Sequence, residues 1–278
     1  MKVSVIIPVY NEEDVIKECL KSLIKQSFEN FEVIIVDDGS TDKTLNIVNK
    51  INLKGLKLSI IEQNHQGTGT ARNLGAKKAR GEILVFVDAD MTFDKYFLEK
   101  LIEPIVEGKS KGTFSKEEYV SNWENVWARC WNINEGWEDR KRHPKNYPDR
   151  QKVFRAILKK EFDRVGGFTP GGYDDDWSLG IKLGFDAVDV EGAKFYHQNP
   201  ASFSEIFKQA KWIGKREYKF GLIGSFIALL RASLPVSIII GFSKFIAKGE
   251  PAFLFFKIVY DLGIFIGILE HLQGNQIK

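Results

Sequence analysis

Residues 81–94 read GEILVFVDADMTFD, and this stretch decides the fold. Five apolar side chains, Ile83 to Val87, run without a polar break and lead straight into Asp88-Ala89-Asp90. An uninterrupted apolar run of this length fits a strand buried on both faces. On an extended chain, residues i and i+2 point the same way. Two carboxylates so placed repel each other unless positive charge lies between them. Hard oxygen ligands of this kind suit Mg²⁺ or Mn²⁺, held by one or two carboxylates together with substrate phosphates. Alone, an Asp-x-Asp is also a common turn or surface pair.

Working outward, the same alternation of strand and helix covers the first hundred residues. KVSVIIPVY, FEVIIVDDGSTD and LKLSIIEQN read as further strands, and NEEDVIKECLKSLIKQ, KTLNIVNKI and GTARNLGAKKAR as helices. Apolar strands alternating with helices predict an α/β fold with a mostly parallel sheet covered on both faces. Ligands of such sheets bind at the carboxyl ends of the strands. Tyr10-Asn11-Glu12, Asp37-Asp38-Gly39-Ser40 and Asp88-Ala89-Asp90 all fall at such ends. An acid there accepts hydrogen bonds from a base or ribose, and Tyr10 offers a ring for stacking; the plainer reading of DDGSTDKT is a turn with helix caps. Gly67 and Gly69 mimic a dinucleotide fingerprint, but Arg72 stands where its third glycine belongs, which opposes a nicotinamide enzyme. Arg72 reads instead as a cation near phosphates, or as the salt-bridging start of a helix.

The chain has 278 residues, 44% hydrophobic and 28% charged, enough for one large domain or a domain with an appendage. Forty Lys and Arg against 37 Asp and Glu leave +3, which gives no reason to expect nucleic acid as a partner. Cys19 and Cys130 form neither a metal spacing nor a disulfide framework, so a reducing compartment is expected. After Met1-Lys2 the chain enters a strand at once, and no secretory leader is expected.

From Lys111 to Val165 the pattern changes. Trp123, Trp127 and Trp131 are spaced by four and would share a helical face, either as a core stripe or as an aromatic platform for an acceptor. Trp137 and the basic run Arg140-Lys141-Arg142-His143 follow. Asp174-Asp175-Asp176 precede a helix; they are either a solvated cluster favoured by its dipole or the source of a general base. His197 ends a short apolar stretch and is read as structural or as a metal ligand. Leu222 to Phe242 carries one charge, Arg231, and Ala252 to Leu269 carries two, Lys257 and Asp261, spaced to pair on one face. Lys208, Lys211, Lys215, Arg216 and Lys219 lie just before, as expected of a cytoplasmic face meeting anionic lipid; the segments read as a membrane hairpin or an in-plane insertion, or else as two buried helices packed on the catalytic domain or on a second copy.

VSVIIPVYNEE, VIIVDDGSTDKT, GTARNLGAKKARGEILVFVDAD and GGYDDDWSLGIKLG, taken in this order, resemble the family 2 nucleotide-sugar glycosyltransferases of the GT-A fold over roughly residues 2–200. The resemblance implies an inverting transfer from a UDP- or GDP-linked sugar. It implies that Pro8, Tyr10, Glu12, Asp38 and Asp88 shape the nucleotide-sugar site, to which Arg72, read above as a cation near phosphates, is added. Asp90, Asp88 and His197 would hold the metal. The family's Glu-Asp pair falls on Asp175-Asp176, with Leu179 three residues on, so Asp176 is expected as base with Asp175 beside it; Asp175 stands in place of the usual Glu. KQAKW, residues 208–212, departs from the Gln-x-x-Arg-Trp of processive synthases, which argues against a polymerase. The expected organisation is a catalytic domain over 1–220, with 111–165 as an acceptor-side insertion, and a membrane-associated helical hairpin over 221–278. The acceptor is expected to be a lipid-linked or glycan hydroxyl or phosphate at the cytoplasmic face of the cell membrane. The alternative is a non-catalytic nucleotide-sugar-binding membrane scaffold, but such a protein has no need of these acids.

Overall fold

A computed structural model describes residues 1–51, 55–170 and 175–274; the side chains of Asp175 and Asp176 lie outside the description, as does Asp174 altogether. Elements run in the order β1 (Val3–Val9), α1 (Ile16–Ile24), β2 (Phe31–Asp37), α2 (Thr44–Lys50), β3 (Lys57–Glu62), α3 (Thr68–Lys78), β4 (Ile83–Phe86), β5 (Met91–Phe93), α4 (Phe97–Val106), β6 (Gly112–Phe114) and β7 (Glu118–Val120). They continue with α5 (Val126–Glu135), β8 (Arg150–Gln151), β9 (Ala156–Leu158), α6 (Lys159–Arg164), α7 (Asp175–Leu183), β10 (Ala187–Asp189), β11 (Phe195–His197), α8 (Phe203–Gly214), α9 (Gly221–Arg231), α10 (Leu234–Lys248) and α11 (Ala252–Leu272).

Eight strands form the main sheet in the order β3-β2-β1-β4-β9-β6-β10-β8. The first four are parallel, as their apolar runs predict, with Ile6 opposite both Ile34 and Phe86. Beyond β4 the sheet is mixed: β9 runs antiparallel to both β4 and β6. A small second sheet, β5-β11-β7, sets His197 opposite Met91. Alternate residues of each central strand feed opposite cores. Val5, Ile7 and Val85 pack with Leu20, Leu23, Phe97 and Leu101 on one face. Ile6, Ile34, Leu84 and Phe86 pack with Ala71, Ala76, Phe162 and Phe168 on the other. Burial on both faces is why these strands carry no polar alternation. Helix α3 lies close on the sheet because Gly75 has no side chain there; a Cβ would sit 2.6 Å from Ile6 Cγ2.

The chain divides into two compact units, residues 1–119 with 146–197, and residues 120–145 with 198 onward. The stretch 111–165 is thus shared, with β6, β8 and β9 in the main sheet and α5 in the helical unit. In the helical unit Asn125 caps α5 by accepting from Trp127 N and Ala128 N, so Trp123 precedes the helix and the expected three-residue stripe is cut to two. Trp131 is buried against Phe256 and Tyr260, and Trp127 packs on Phe203 at 4.3 Å. These two are core residues.

Helix α11 is long and apolar enough to cross a membrane by length and composition. The segment Leu222 to Phe242, read as one apolar span, is broken between α9 and α10, whose axes differ by 59°. Pro235 explains the break: a proline is tolerated in the first turn of a helix and not in its interior. The expected Lys257–Asp261 pair forms, with Nζ donating to Oδ1 at 2.7 Å, and Ser237 Oγ of α10 donates to Oδ2 of the same buried aspartate at 2.7 Å.

Candidate active site

Parallel pairing of β1, β2 and β4 brings their carboxyl ends to one edge of the sheet. Pro8 lies beyond the last β1–β4 pair, so its missing N–H costs no ladder bond. Asn11 adopts a left-handed φ of 57°, and its Oδ1 accepts from Thr41 N and Asp42 N. Glu12 N donates to Thr44 Oγ1 at 2.8 Å, which fixes the β1–α1 turn beside the β2–α2 turn.

Asp88-Ala89-Asp90 is a turn between β4 and β5, closed by Met91 N donating to Asp88 O at 3.3 Å. The extended geometry expected for the pair therefore does not hold, and the two carboxylates engage different partners. Asp88 Oδ1 accepts from Arg72 Nη2 at 2.7 Å and Oδ2 from Arg155 Nη1 at 3.4 Å. Arg155 is carried by the chain entering β9, where Phe86 N donates to its carbonyl. Burial opposes charge on Asp88, but the two guanidinium groups outweigh it and hold the carboxyl below its ordinary value. Asp90 Oδ2 lies 2.7 Å from His197 Nε2, and His197 Nδ1 lies 2.9 Å from Glu118 Oε1. Residues 107 positions apart meet because β11 returns beside β5.

Glu12 belongs to the same acidic edge. Burial, followed by the charges of Asp90, Asp88 and Asp42, pushes its carboxyl up to about 8. The fully buried Cys19 thiol is raised by burial and then by Asp90, Asp88 and Glu12. Positive charge added at this edge would offset the part of both effects that comes from the acids.

Tyr10, 43% exposed, stacks on His65 with ring centroids 4.1 Å apart. His65 Nδ1 lies 2.9 Å from Asp38 Oδ2. Asp38 is itself buried; it accepts from Gln66 N and Gln63 Nε2 on one oxygen and from Gly67 N on the other. Its carboxylate thus organises the loop that opens α3. Asp37 Oδ1 is buried with no hydrogen-bond partner among the described residues. Asp175 and Asp176 open α7, three residues before the fully buried Leu179 in the case of Asp176; their side chains lie outside the described residues.

The structure brings together Glu12, Asp88, Asp90, Arg72 and His197 from the expected set. Sequence reasoning missed Arg155, Glu118 and His65. Their signals were slight: a basic residue before a short apolar run, an acid in a minor strand, and a histidine ahead of a glycine-rich turn.

A divalent cation is implied by the fold family, and the residues fit one. Asp90 and His197 offer one hard oxygen and one imidazole, a set that suits Mn²⁺ or Mg²⁺. Glu118 on the far ring nitrogen is the kind of partner that orients a ligating imidazole. The repulsion raising Glu12 is the charge a cation relieves. Among the described residues no group of three or more His, Cys, Asp or Glu side chains is arranged to hold a metal unaided, so water and donor phosphates would complete the shell.

Comparison with known proteins bears on the family and the fold. The chain is 50% identical over 102 residues to the poly(ribitol-phosphate) β-N-acetylglucosaminyltransferase TarS of Staphylococcus aureus, a match covering 36% of this chain and 18% of that protein. It is 48% identical over 94 residues to a poly(ribitol-phosphate) β-glucosyltransferase of Bacillus spizizenii, covering 32% and 15%. The matched stretch is therefore under a fifth of either relative. Among solved structures, S. aureus TarS 1-349 aligns with a TM-score of 0.58 at 22% identity, over 99% of this chain and 92% of that one. The mannosyltransferase PcManGT of Pyrobaculum calidifontis aligns with a TM-score of 0.64 at 20% identity, over 99% and 88%. The fold is that of the GT-A glycosyltransferases. The family model for glycosyl transferase family 2 matches residues 4–179, more than half of the chain, and the chain belongs to that family.

Proposed function

We propose that this family 2 glycosyltransferase is a metal-dependent, inverting enzyme that moves a sugar from a UDP- or GDP-linked donor to a hydroxyl or phosphate acceptor, lipid-linked or glycan, at the cytoplasmic face of the cell membrane. The observation that supports this most is the Asp90–His197 pair, 2.7 Å apart at the end of the central strand and steadied by Glu118. Asp90 and His197, with Asp88 beside them, would hold Mg²⁺ or Mn²⁺. Such an ion, when bound, neutralises charge on a departing diphosphate. Arg72 adds fixed positive charge next to Asp88. The exposed Tyr10 ring offers a face for the base, and Pro8, Glu12 and the loop held by Asp38 shape the pocket. Asp176, with Asp175 beside it, takes the acceptor proton. The acceptor oxygen bonds to the anomeric carbon as the carbon–phosphate oxygen bond breaks, and the electron pair leaves with the diphosphate.

The known relatives favour this donor class: TarS 1-349 has been solved with UDP and with UDP-GlcNAc, and PcManGT with GDP-Man and Mn²⁺. The curated relatives act on poly(ribitol-phosphate), a phosphate-bearing polymer, which favours an anionic acceptor. In this reading residues 1–220 carry catalysis, 111–165 face the acceptor and 221–278 associate with the membrane.

The test is calorimetry with UDP, GDP and their common sugars, with and without Mn²⁺, beside Asp90→Ala and Asp176→Asn. Metal-dependent binding of one nucleotide, lost in Asp90→Ala and kept in a transfer-dead Asp176→Asn, is expected. Tight metal-independent binding, or loss of binding in Asp176→Asn, would refute the assigned roles.

A further inference from the structure

We propose that α9 and α10 form a wedge lying in the plane of one leaflet of an anionic bilayer, and that α11 is the post holding them rather than a membrane span. This rests on the membrane association proposed above and settles its geometry.

Among the described residues, exposed large apolar side chains are densest on α9 and α10. Leu222, Ile223 and Phe226 of α9 are 77%, 69% and 61% exposed, and Ile239, Phe242 and Ile246 of α10 are 68%, 53% and 67% exposed. A soluble monomer seldom leaves so continuous an apolar face in water. Residues 218–249 also carry Lys219, Arg231, Lys244 and Lys248 and not one acid. An apolar face edged only by cations is complementary to anionic headgroups over acyl chains.

Length argues for the in-plane orientation. The 11 residues of α9 and 15 of α10 make helices of roughly 16 and 22 Å, each short of the roughly 30 Å hydrocarbon core. Their 59° bend keeps them from adding into a straight span.

Helix α11 is long enough, at roughly 31 Å for its 21 residues, but its surroundings are wrong for lipid. At its start Glu250 accepts from Arg129 Nε and Nη2 of α5 at 3.3 and 3.2 Å. At its end Glu270 pairs with Lys211 and Lys215 at 2.6 and 3.0 Å. Between, α8 lies so close that a Cβ on Gly267 would sit 2.1 Å from Lys211 O. The exposed large apolar residues of its interior, Phe255, Leu262 and Leu269, form one narrow stripe. The buried Asp261 faces α10, where it accepts from the buried Ser237 as well as from Lys257.

The tie to α5 opposes a spanning hairpin. In such a hairpin the α10–α11 connection, with Glu250, would emerge on the far side of the bilayer. But α5 is reached through only six residues, 120–125, which extend at most about 21 Å and include Asn122, Glu124 and Asn125. The segment is folded into turns, with Asn125 N donating to Asn122 O, and carrying α5 across the core would put three polar side chains in hydrocarbon. Arg129 therefore keeps the connection on the near side.

The test uses the full chain and sealed vesicles of phosphatidylcholine with and without phosphatidylglycerol. Flotation measures binding, and an impermeant maleimide added outside probes Lys248→Cys, Ile239→Cys and, as an outside control, Glu29→Cys; the native Cys19 and Cys130 are buried. Expected are binding favoured by phosphatidylglycerol, at least tenfold weaker binding by Phe226→Glu/Ile239→Glu, outside labelling of Lys248→Cys, and protection of Ile239→Cys. Labelling of Lys248→Cys only after detergent would overturn the in-plane geometry while leaving membrane association intact. Absence of binding to any vesicle would overturn both. Concentration-dependent dimers abolished by Ile239→Glu, with no vesicle binding, would assign the face to a second copy instead.

Discussion

The raised carboxyl of Glu12 gives the acidic edge a measurable signature. In the folded chain it titrates at about 8, against 4.5 as an ordinary glutamate. Between these values the folded state keeps a proton that the unfolded state has released. Stability due to this group is therefore fully present below pH 4.5 and is lost as pH rises through 8. Each pKa unit is worth about 1.4 kcal/mol, so the whole window is bounded by about 5 kcal/mol. Glu12 keeps partial contact with solvent, and screening reduces this to about 1–3 kcal/mol. Urea unfolding in EDTA from pH 5 to 8.5 should show wild-type stability falling by that amount relative to Glu12→Gln, which cannot titrate there. Adding Mn²⁺ should flatten the wild-type curve, because a cation favours the ionised acid. Parallel curves for wild type and Glu12→Gln in EDTA would refute the crowded-acid account of this edge.

Other consequences follow from single contacts. Gly267→Val places side-chain atoms against the Lys211 carbonyl and should cost about 2–4 kcal/mol, read as a lowered thermal midpoint. Asp261→Ala takes the carboxylate from the half-buried Lys257 and should cost about 1–3 kcal/mol, whereas Lys257→Met/Asp261→Leu should come close to wild type in urea unfolding. Arg72→Gln removes the shorter of the two guanidinium contacts to Asp88; calorimetric donor affinity should fall about tenfold, about 1.4 kcal/mol, with a smaller loss for Arg155→Gln at its longer distance.

Strands β1, β2 and β4 were legible because burial on both faces writes itself as nearly unbroken apolar runs. The acids were legible because the carboxyl edge is where such sheets place polar groups. What lay hidden depends on contacts distant in sequence. No local pattern in RAIL says that β9 enters the sheet antiparallel and delivers Arg155 to Asp88. Glu118 gains meaning only once β7 and β11 share a sheet. Asp38, read as a nucleotide contact, is occupied by the backbone of residues 66 and 67, which periodicity cannot reveal. In the apolar tail, composition suggested a span, while the Ser233-Leu234-Pro235 start of a new helix was the overlooked local signal.

Asp88 and Asp90 look equivalent in sequence, yet their surroundings give opposite expectations for removing each charge. Asp88 answers two guanidinium groups, and without it Arg72, only 6% exposed at its side chain, loses the anion it donates to. Asp90 is the largest charged contributor to the cost of ionising Glu12, so its removal relieves repulsion. In EDTA at pH 8, Asp88→Asn should lower stability by about 1–3 kcal/mol, a range reduced because the Asp88 side chain is 30% exposed. Asp90→Asn, under the same conditions, should leave stability at or above that of wild type while abolishing any stabilisation by Mn²⁺. Equal losses in the two variants would mean that the arginines do not set Asp88 apart, and that the two acids act as the single chelating pair their spacing first suggested.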